Sequence, residues 1–93
     1  MSKWAKKVDV NQPAIVKFLH QIGASVQHLH TVGQGCPDLL VGWQKSNILM
    51  ELKSTDKSKM TGEQLVWHDN WKGKVYIVRT VDEAMMALNS AVR

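Results

Sequence analysis

The sequence predicts a single α/β domain, residues 1–93, with the element order αβββαβα. Three observations carry that reading: helical periodicity early in the chain, two adjacent apolar runs of strand length joined by a short polar link, and two Thr-x-x-Gln/Glu helix starts separated by a β-rich run. No Pro/Gly/Ser-rich stretch divides the chain, and it carries no internal repeat or low-complexity segment.

Ile15, Phe18, Leu19 and Ile22 recur at helical spacing, placing the first helix over about Asn11 to Ile22 with Gly23 as its stop. Its start stays open between a capping box at Asp9-x-x-Gln12 and Pro13 in the first turn. Ala24 to Leu29 alternates as a strand, and Thr31 to Pro37 has the Gly and Pro punctuation of a loop. Asp38 to Gly42 and Asn47 to Lys53 read as the arms of a hairpin across the link Trp43-Gln44-Lys45-Ser46. The polar stretch Ser54 to Lys59 leads into a second helix that runs to about Trp71 and stops near Gly73. Its start carries a capping box (Thr61, Gln64) and a hydrophobic staple (Met60, Leu65). Lys74 to Val78 is rich in β-formers and makes a fourth strand. Thr80-x-x-Glu83 opens a last helix with Ala84, Met85, Leu88 and Val92 on one face.

Twelve Lys and Arg against eight Asp and Glu give a net positive charge, which favours polyanionic partners such as nucleic acid. Lys3, Lys6 and Lys7 cluster at the start, and Lys53, Lys57 and Lys59 surround the polar loop, where several cations would meet phosphates; a merely solvated basic surface is the alternative. The first residues lack the apolar stretch of a signal peptide, and no segment approaches the roughly 20 apolar residues of a membrane span, so a cytoplasmic location is expected. The single cysteine, Cys36, excludes an internal disulfide and is expected as a small buried hydrophobe rather than a nucleophile. Four Trp residues are a rich supply for one small core, or partly for an oligomer interface.

If Gly42 pairs with Asn47 across the link, Asp38 lands opposite Glu51 and the two carboxylates share a face. Directly opposed like charges are unfavourable in a sheet, so the arrangement needs a cation or another compensation. Two carboxylates with a backbone carbonyl form a hard oxygen site suited to Mg²⁺ or Mn²⁺. Lys53 falls on the face of Glu51, while Leu52 between them points to the core. A metal and an ammonium together match the needs of phosphodiester hydrolysis: an attacking water, neutralised phosphorane charge and a stabilised leaving oxygen. The competing reading makes Asp38 a turn cap after Pro37, with Glu51 and Lys53 on the polar face of an edge strand.

Taken as ordered blocks, Asp9-Val10-Asn11-Gln12, Gly35-Cys36-Pro37-Asp38-Leu39-Leu40-Val41-Gly42, Met50-Glu51-Leu52-Lys53, Thr61-Gly62-Glu63-Gln64 and His68-Asp69-Asn70-Trp71-Lys72-Gly73 resemble the VRR-NUC family of the PD-(D/E)xK nuclease superfamily, especially its stand-alone virus- and phage-type members. The resemblance spans nearly the whole chain and implies a restriction-endonuclease-like fold, with a mixed four-stranded sheet flanked by helices. It implies a metal-dependent endonuclease acting on DNA, branched DNA such as four-way junctions included, and often a homodimer. By the same resemblance Asp38, Glu51 and the carbonyl of Leu52 would bind Mg²⁺ or Mn²⁺, and Lys53 would position or activate the water. Gln12 stands where many relatives carry a Glu; an amide is a weaker, neutral ligand, which argues against a second metal and leaves Gln12 a candidate hydrogen-bonding member of the site. Gln64 is a candidate for the site as well as for the helix cap. Lys57 and Lys59, with Lys6 and Lys7, are the candidate DNA-binding cations. A DNA-binding module that keeps the fold without cleavage is the alternative function.

His28 and His30, two apart on a strand, are expected as a solvated or hydrogen-bonded pair, because no third metal ligand lies near them in sequence. Trp67 and Trp71 are spaced i, i+4 and are expected to pack together in the core or a dimer interface, with base stacking as the minor alternative. No role is assigned to His68.

Overall fold

A computed structural model describes residues 12–54 and 59–93. The expected cap at Asp9 and the basic residues Lys6, Lys7 and Lys57 lie outside the described residues. Helix α1 (Gln12–Gln21) buries Ile15 and Leu19, one turn apart, with Phe18 and Ile22 against the same core. Gly23 ends it at φ 88°, a left-handed conformation that glycine adopts without strain. The Gly23 amide donates to the His20 carbonyl at 3.0 Å and the Ala24 amide to the Leu19 carbonyl at 2.9 Å, the paired bonds of a Schellman ending.

Four strands follow as one sheet in chain order: β1 (Ser25–His28), β2 (Leu39–Trp43), β3 (Ser46–Leu52) and β4 (Val75–Val78). The first three are antiparallel and β4 runs parallel to β3, so the sheet is mixed, as expected. A parallel neighbour requires a crossover, and helix α2 (Gly62–Asn70) lies within it. Helix α3 (Val81–Ala91) then packs on β3, β4 and α1. Thr80 caps it by accepting from the Glu83 amide at 3.0 Å. The Glu83 side chain accepts from the Arg79 amide at 2.7 Å instead of the Thr80 amide, so the capping box is only half formed.

The hairpin register is the expected one, with Gly42 opposite Asn47, but pairing continues to Trp43 and Ser46. Only Gln44 and Lys45 remain in the turn, at φ 48° and 69°. Two positive φ values give a connection whose twist matches the strands it joins. Asn-Gly normally announces such a turn; Gln-Lys does not, which is why the sequence suggests a four-residue link.

Leu39 and Val41 of β2 and Ile48, Met50 and Leu52 of β3 form the core with Ile15, Leu19, Val78, Ala84 and Leu88. Strand alternation therefore puts Glu51 and Lys53 on the sheet face away from that core. A slip of one residue would exchange Met50 for Glu51 on the core face, so hydrophobic burial fixes the position of the polar pair. α2 is different, because it buries no residue. Trp67 and Trp71 do stack, with ring centroids 4.7 Å apart and 16° between planes, but Trp71 is 47% exposed. The pair thus lies at the surface of the monomer, not in its core. Leu65, expected in a staple, is also open to solvent.

Candidate active site

Buried Pro37 anchors the start of β2 and leaves Asp38 at the point where the ladder with β3 ends, since Leu39 faces Met50 in the last pair. The Asp38 carboxylate takes over from backbone there: its Oδ2 accepts from the Leu52 amide at 2.7 Å. The next amide, that of Lys53, points the other way and donates to the Val78 carbonyl at 3.0 Å. Because the amide and carbonyl of one strand residue point to the same side, the Leu52 carbonyl faces the side of Asp38.

Glu51 is 1% exposed and Lys53 9%, so two opposite charges are withdrawn from water together. Such a pair persists only where further hydrogen bonds satisfy both ends. Gln64 provides them. Its Nε2 donates to Glu51 Oε2 at 3.0 Å, and its Oε1 accepts from Lys53 Nζ at 2.9 Å. The same Oε1 accepts from the Thr61 amide at 2.9 Å, while Thr61 Oγ1 accepts from the Gln64 amide at 3.1 Å. Gln64 is thus at once the helix cap and the bridge between Glu51 and Lys53. Lys53 Nζ also donates to the Lys59 carbonyl at 3.3 Å and lies 3.8 Å from Glu51 Oε2.

Two residues join the site that the sequence did not place there. Cys36, expected as a buried hydrophobe, is half-buried near both carboxylates; burial, then Glu51, then Asp38 push its thiol above the ordinary 9.0. The thiol therefore stays protonated at neutral pH, which argues against a nucleophilic role. Its proton is held by the folded state more tightly than by the unfolded chain, so this group's stabilising contribution is complete below pH 9.0 and is lost as pH rises through the raised value. Alkylation of folded protein by iodoacetamide is expected to be slower than that of urea-unfolded protein, and faster in Glu51→Gln than in wild type. Equal rates in all three would remove Cys36 from the neighbourhood of the carboxylates.

His68 is the second. Its Nε2 lies 3.7 Å from Glu51 Oε1, with only 15% of the side chain exposed. Burial, then the Lys53 ammonium, hold its pKa below the ordinary 6.5, which leaves the ring neutral at pH 7. A signal for it was present: Gln64 and His68 are one helical turn apart, so a helix that turns Gln64 toward Glu51 turns His68 the same way.

Gln12 opens α1 and lines a groove with Val16, His20 and His28; no hydrogen bond joins it to Asp38, Glu51 or Lys53. Lys59 contributes its backbone carbonyl to Lys53, while the residue as a whole is exposed. His28 and His30 sit edge-on at 6.0 Å and both are exposed. Among the described residues no three His, Cys, Asp or Glu side chains are gathered to hold a metal ion. Any cation here would be held by two carboxylates, a carbonyl and water.

The loop before Pro37 fixes α2 against the site. Gly35 has φ 83°, and a Cβ there would collide with the Glu63 backbone and lie 2.8 Å from the Gln64 amide nitrogen. Gly35→Ala is expected to destabilise the domain by about 2 kcal/mol or more, combining the left-handed strain of an L-residue with the displacement of α2. Urea unfolding would measure it, and a loss below about 0.5 kcal/mol, the scatter of ordinary surface substitutions, would contradict the close approach.

The arrangement defines a class: a small mixed α/β domain with a buried acid-lysine pair beside a second carboxylate at the end of a hairpin. A solved structure described as a "VRR_NUC domain" shares the fold, with a TM-score of 0.66 and 21% identity over 84% of this chain and 94% of that chain. The chain therefore has the VRR_NUC fold. Its sequence matches no family model and no curated protein.

Proposed function

We propose that the chain is a Mg²⁺- or Mn²⁺-dependent endonuclease that hydrolyses DNA phosphodiester bonds at the site formed by Asp38, Glu51 and Lys53. One observation carries this reading: a buried Glu51–Lys53 pair, bridged by Gln64, next to a carboxylate that replaces a ladder bond. A merely solvated polar face has no need to withdraw both charges from water.

The donor set fits a hard divalent cation. Asp38 commits Oδ2 to the Leu52 amide and keeps Oδ1 for a ligand. Glu51 supplies a carboxylate already oriented by Gln64, and the Leu52 carbonyl faces the same side as Asp38. When bound, the cation would offset phosphate charge and acidify a water. Lys53 does the rest of the positioning. An ammonium has three donors, and Lys53 spends two of them on the carbonyl oxygens of Gln64 and Lys59. The third is left to orient the attacking water or meet the phosphate. Because both partners are neutral acceptors fixed by a helix cap and backbone, the ammonium is preorganised at little expense to its charge.

By the same reading the partner is DNA, met by the cations Lys57, Lys59, Lys6 and Lys7, with branched molecules preferred and two copies of the chain making paired cuts in a cytoplasmic setting. A symmetric pair of single-site subunits suits symmetric DNA. A panel of labelled four-way junctions, flaps, single strands and duplexes, incubated with Mg²⁺, Mn²⁺ or chelator, tests it. Metal-dependent products, most abundant from branched DNA, are expected. Tight binding without product in any metal would instead favour the non-catalytic DNA-binding module.

A further inference from the structure

Glu51 is approached from one helix by two side chains. Gln64 Nε2 reaches Oε2 at 3.0 Å, and His68 Nε2 stands 3.7 Å from Oε1, one turn further along α2. Their spacing lets a single helix face address both oxygens of one carboxylate. His68 Nε2 is buried and has no hydrogen-bond partner at that distance, a condition a polar atom holds only at a price. The ring is also braced. It meets Trp67 edge-on at 5.7 Å and 69°, and Trp67 is stacked flat on Trp71. Half-buried Trp67 and exposed Trp71 thus stand behind His68 as a stacked pair.

We propose that His68 is a positioning residue for the cation ligand Glu51: α2 carries a two-armed clamp in which Gln64 holds Oε2 and His68 holds Oε1. This rests on the reading of Glu51 as a metal ligand. The gap of 3.7 Å exceeds a hydrogen bond, and closing it takes a shift of well under one ångström. Contacts of this kind tighten when a site is loaded. Groups that orient a metal ligand in this way change metal affinity by about 10–100-fold when removed.

Among the described residues, groups other than His68 that face Glu51 or its neighbourhood include Lys53 just after β3, Gln64 from α2, and Cys36 and Asp38 from the segment before β2. The test must therefore separate the clamp from general loss of packing. Mn²⁺ binding to the full chain without DNA is measured by isothermal titration calorimetry for wild type, His68→Ala, His68→Gln and His68→Asn, with melting curves for each. Gln places an amide N–H where the imidazole Nε2 lies, whereas Asn falls short of Glu51. Weaker Mn²⁺ binding by about tenfold or more is expected in His68→Ala and His68→Asn, with His68→Gln restored close to wild type. Wild-type affinity in a folded His68→Ala or His68→Asn would overturn the clamp, as would a failure of His68→Gln to recover. A ¹⁴N coupling from His68 in the electron spin echo spectrum of bound Mn²⁺ would overturn it too, by making His68 a direct ligand. Absence of Mn²⁺ binding in wild type would sink the underlying reading of Glu51 itself, an outcome distinct from the others.

Discussion

Lys53→Ala is expected to abolish DNA cleavage and to weaken the fold at the same time. The loss of activity should be at least about 10²–10³-fold, the usual effect of deleting one preorganised charge-stabilising donor. The loss of stability has a separate cause. Glu51 is 1% exposed, and the Lys53 ammonium stands 3.8 Å from it. Removing one member of a buried pair strands the other, which costs about 3–5 kcal/mol where nothing else compensates. Gln64 still donates to Glu51 Oε2, so the lower end of that range is expected here. Gln64 would also lose the donor on its Oε1, though the Thr61 amide remains to hold it. Chemical denaturation of the variant measures the stability term, and a labelled substrate measures the activity term.

Glu51→Gln should have the same effect on activity and a different one on stability. The amide is a weak, neutral donor to a divalent cation, so metal binding and cleavage are both expected to disappear. The buried negative charge disappears too, which removes its desolvation cost but leaves Lys53 without its counter-charge. Lys53 nevertheless keeps two neutral acceptors, the Gln64 and Lys59 carbonyls, and is the more exposed of the two. The variant should therefore unfold within about 1 kcal/mol of wild type, well short of the penalty for Lys53→Ala. Equal, large destabilisation by both substitutions would mean that the pair is held by packing rather than by charge. The double variant Lys53→Ala/Glu51→Gln is expected to recover most of the stability lost in Lys53→Ala, because residues in one buried network do not add.

Much of this site was legible because strand periodicity is strict. Once Leu39, Val41, Ile48, Met50 and Leu52 are read as core, Glu51 and Lys53 have one face open to them, and the pairing of Gly42 with Asn47 brings Asp38 to the end of the same ladder. Local chemistry also sufficed for Gln64, whose capping box is written in Thr61-x-x-Gln64. The features not legible depend on tertiary placement. The turn at Gln44-Lys45 carries no residue that favours positive φ, and so its length was overestimated. The fate of the Trp67–Trp71 pair depends on how α2 sits over the sheet, and a helix that buries none of its residues gives little amphipathic signal to read. Cys36 and His68 reach Glu51 from a loop and from a crossover helix, far from it in sequence. Gln12, which the resemblance offers as a hydrogen-bonding member of the site, opens α1 and lines a groove with Val16, His20 and His28.

On the proposed function, Asp38, Glu51 and Lys53 form a metal-dependent centre that cuts the DNA backbone. Its most direct test is one gel assay with pure wild-type and Lys53→Ala protein on a labelled four-way junction in Mg²⁺ or Mn²⁺, with a chelator control. Discrete cuts by wild type that disappear both on chelation and in Lys53→Ala are expected. Cuts that persist in folded Lys53→Ala, or that survive removal of the metal, would contradict it.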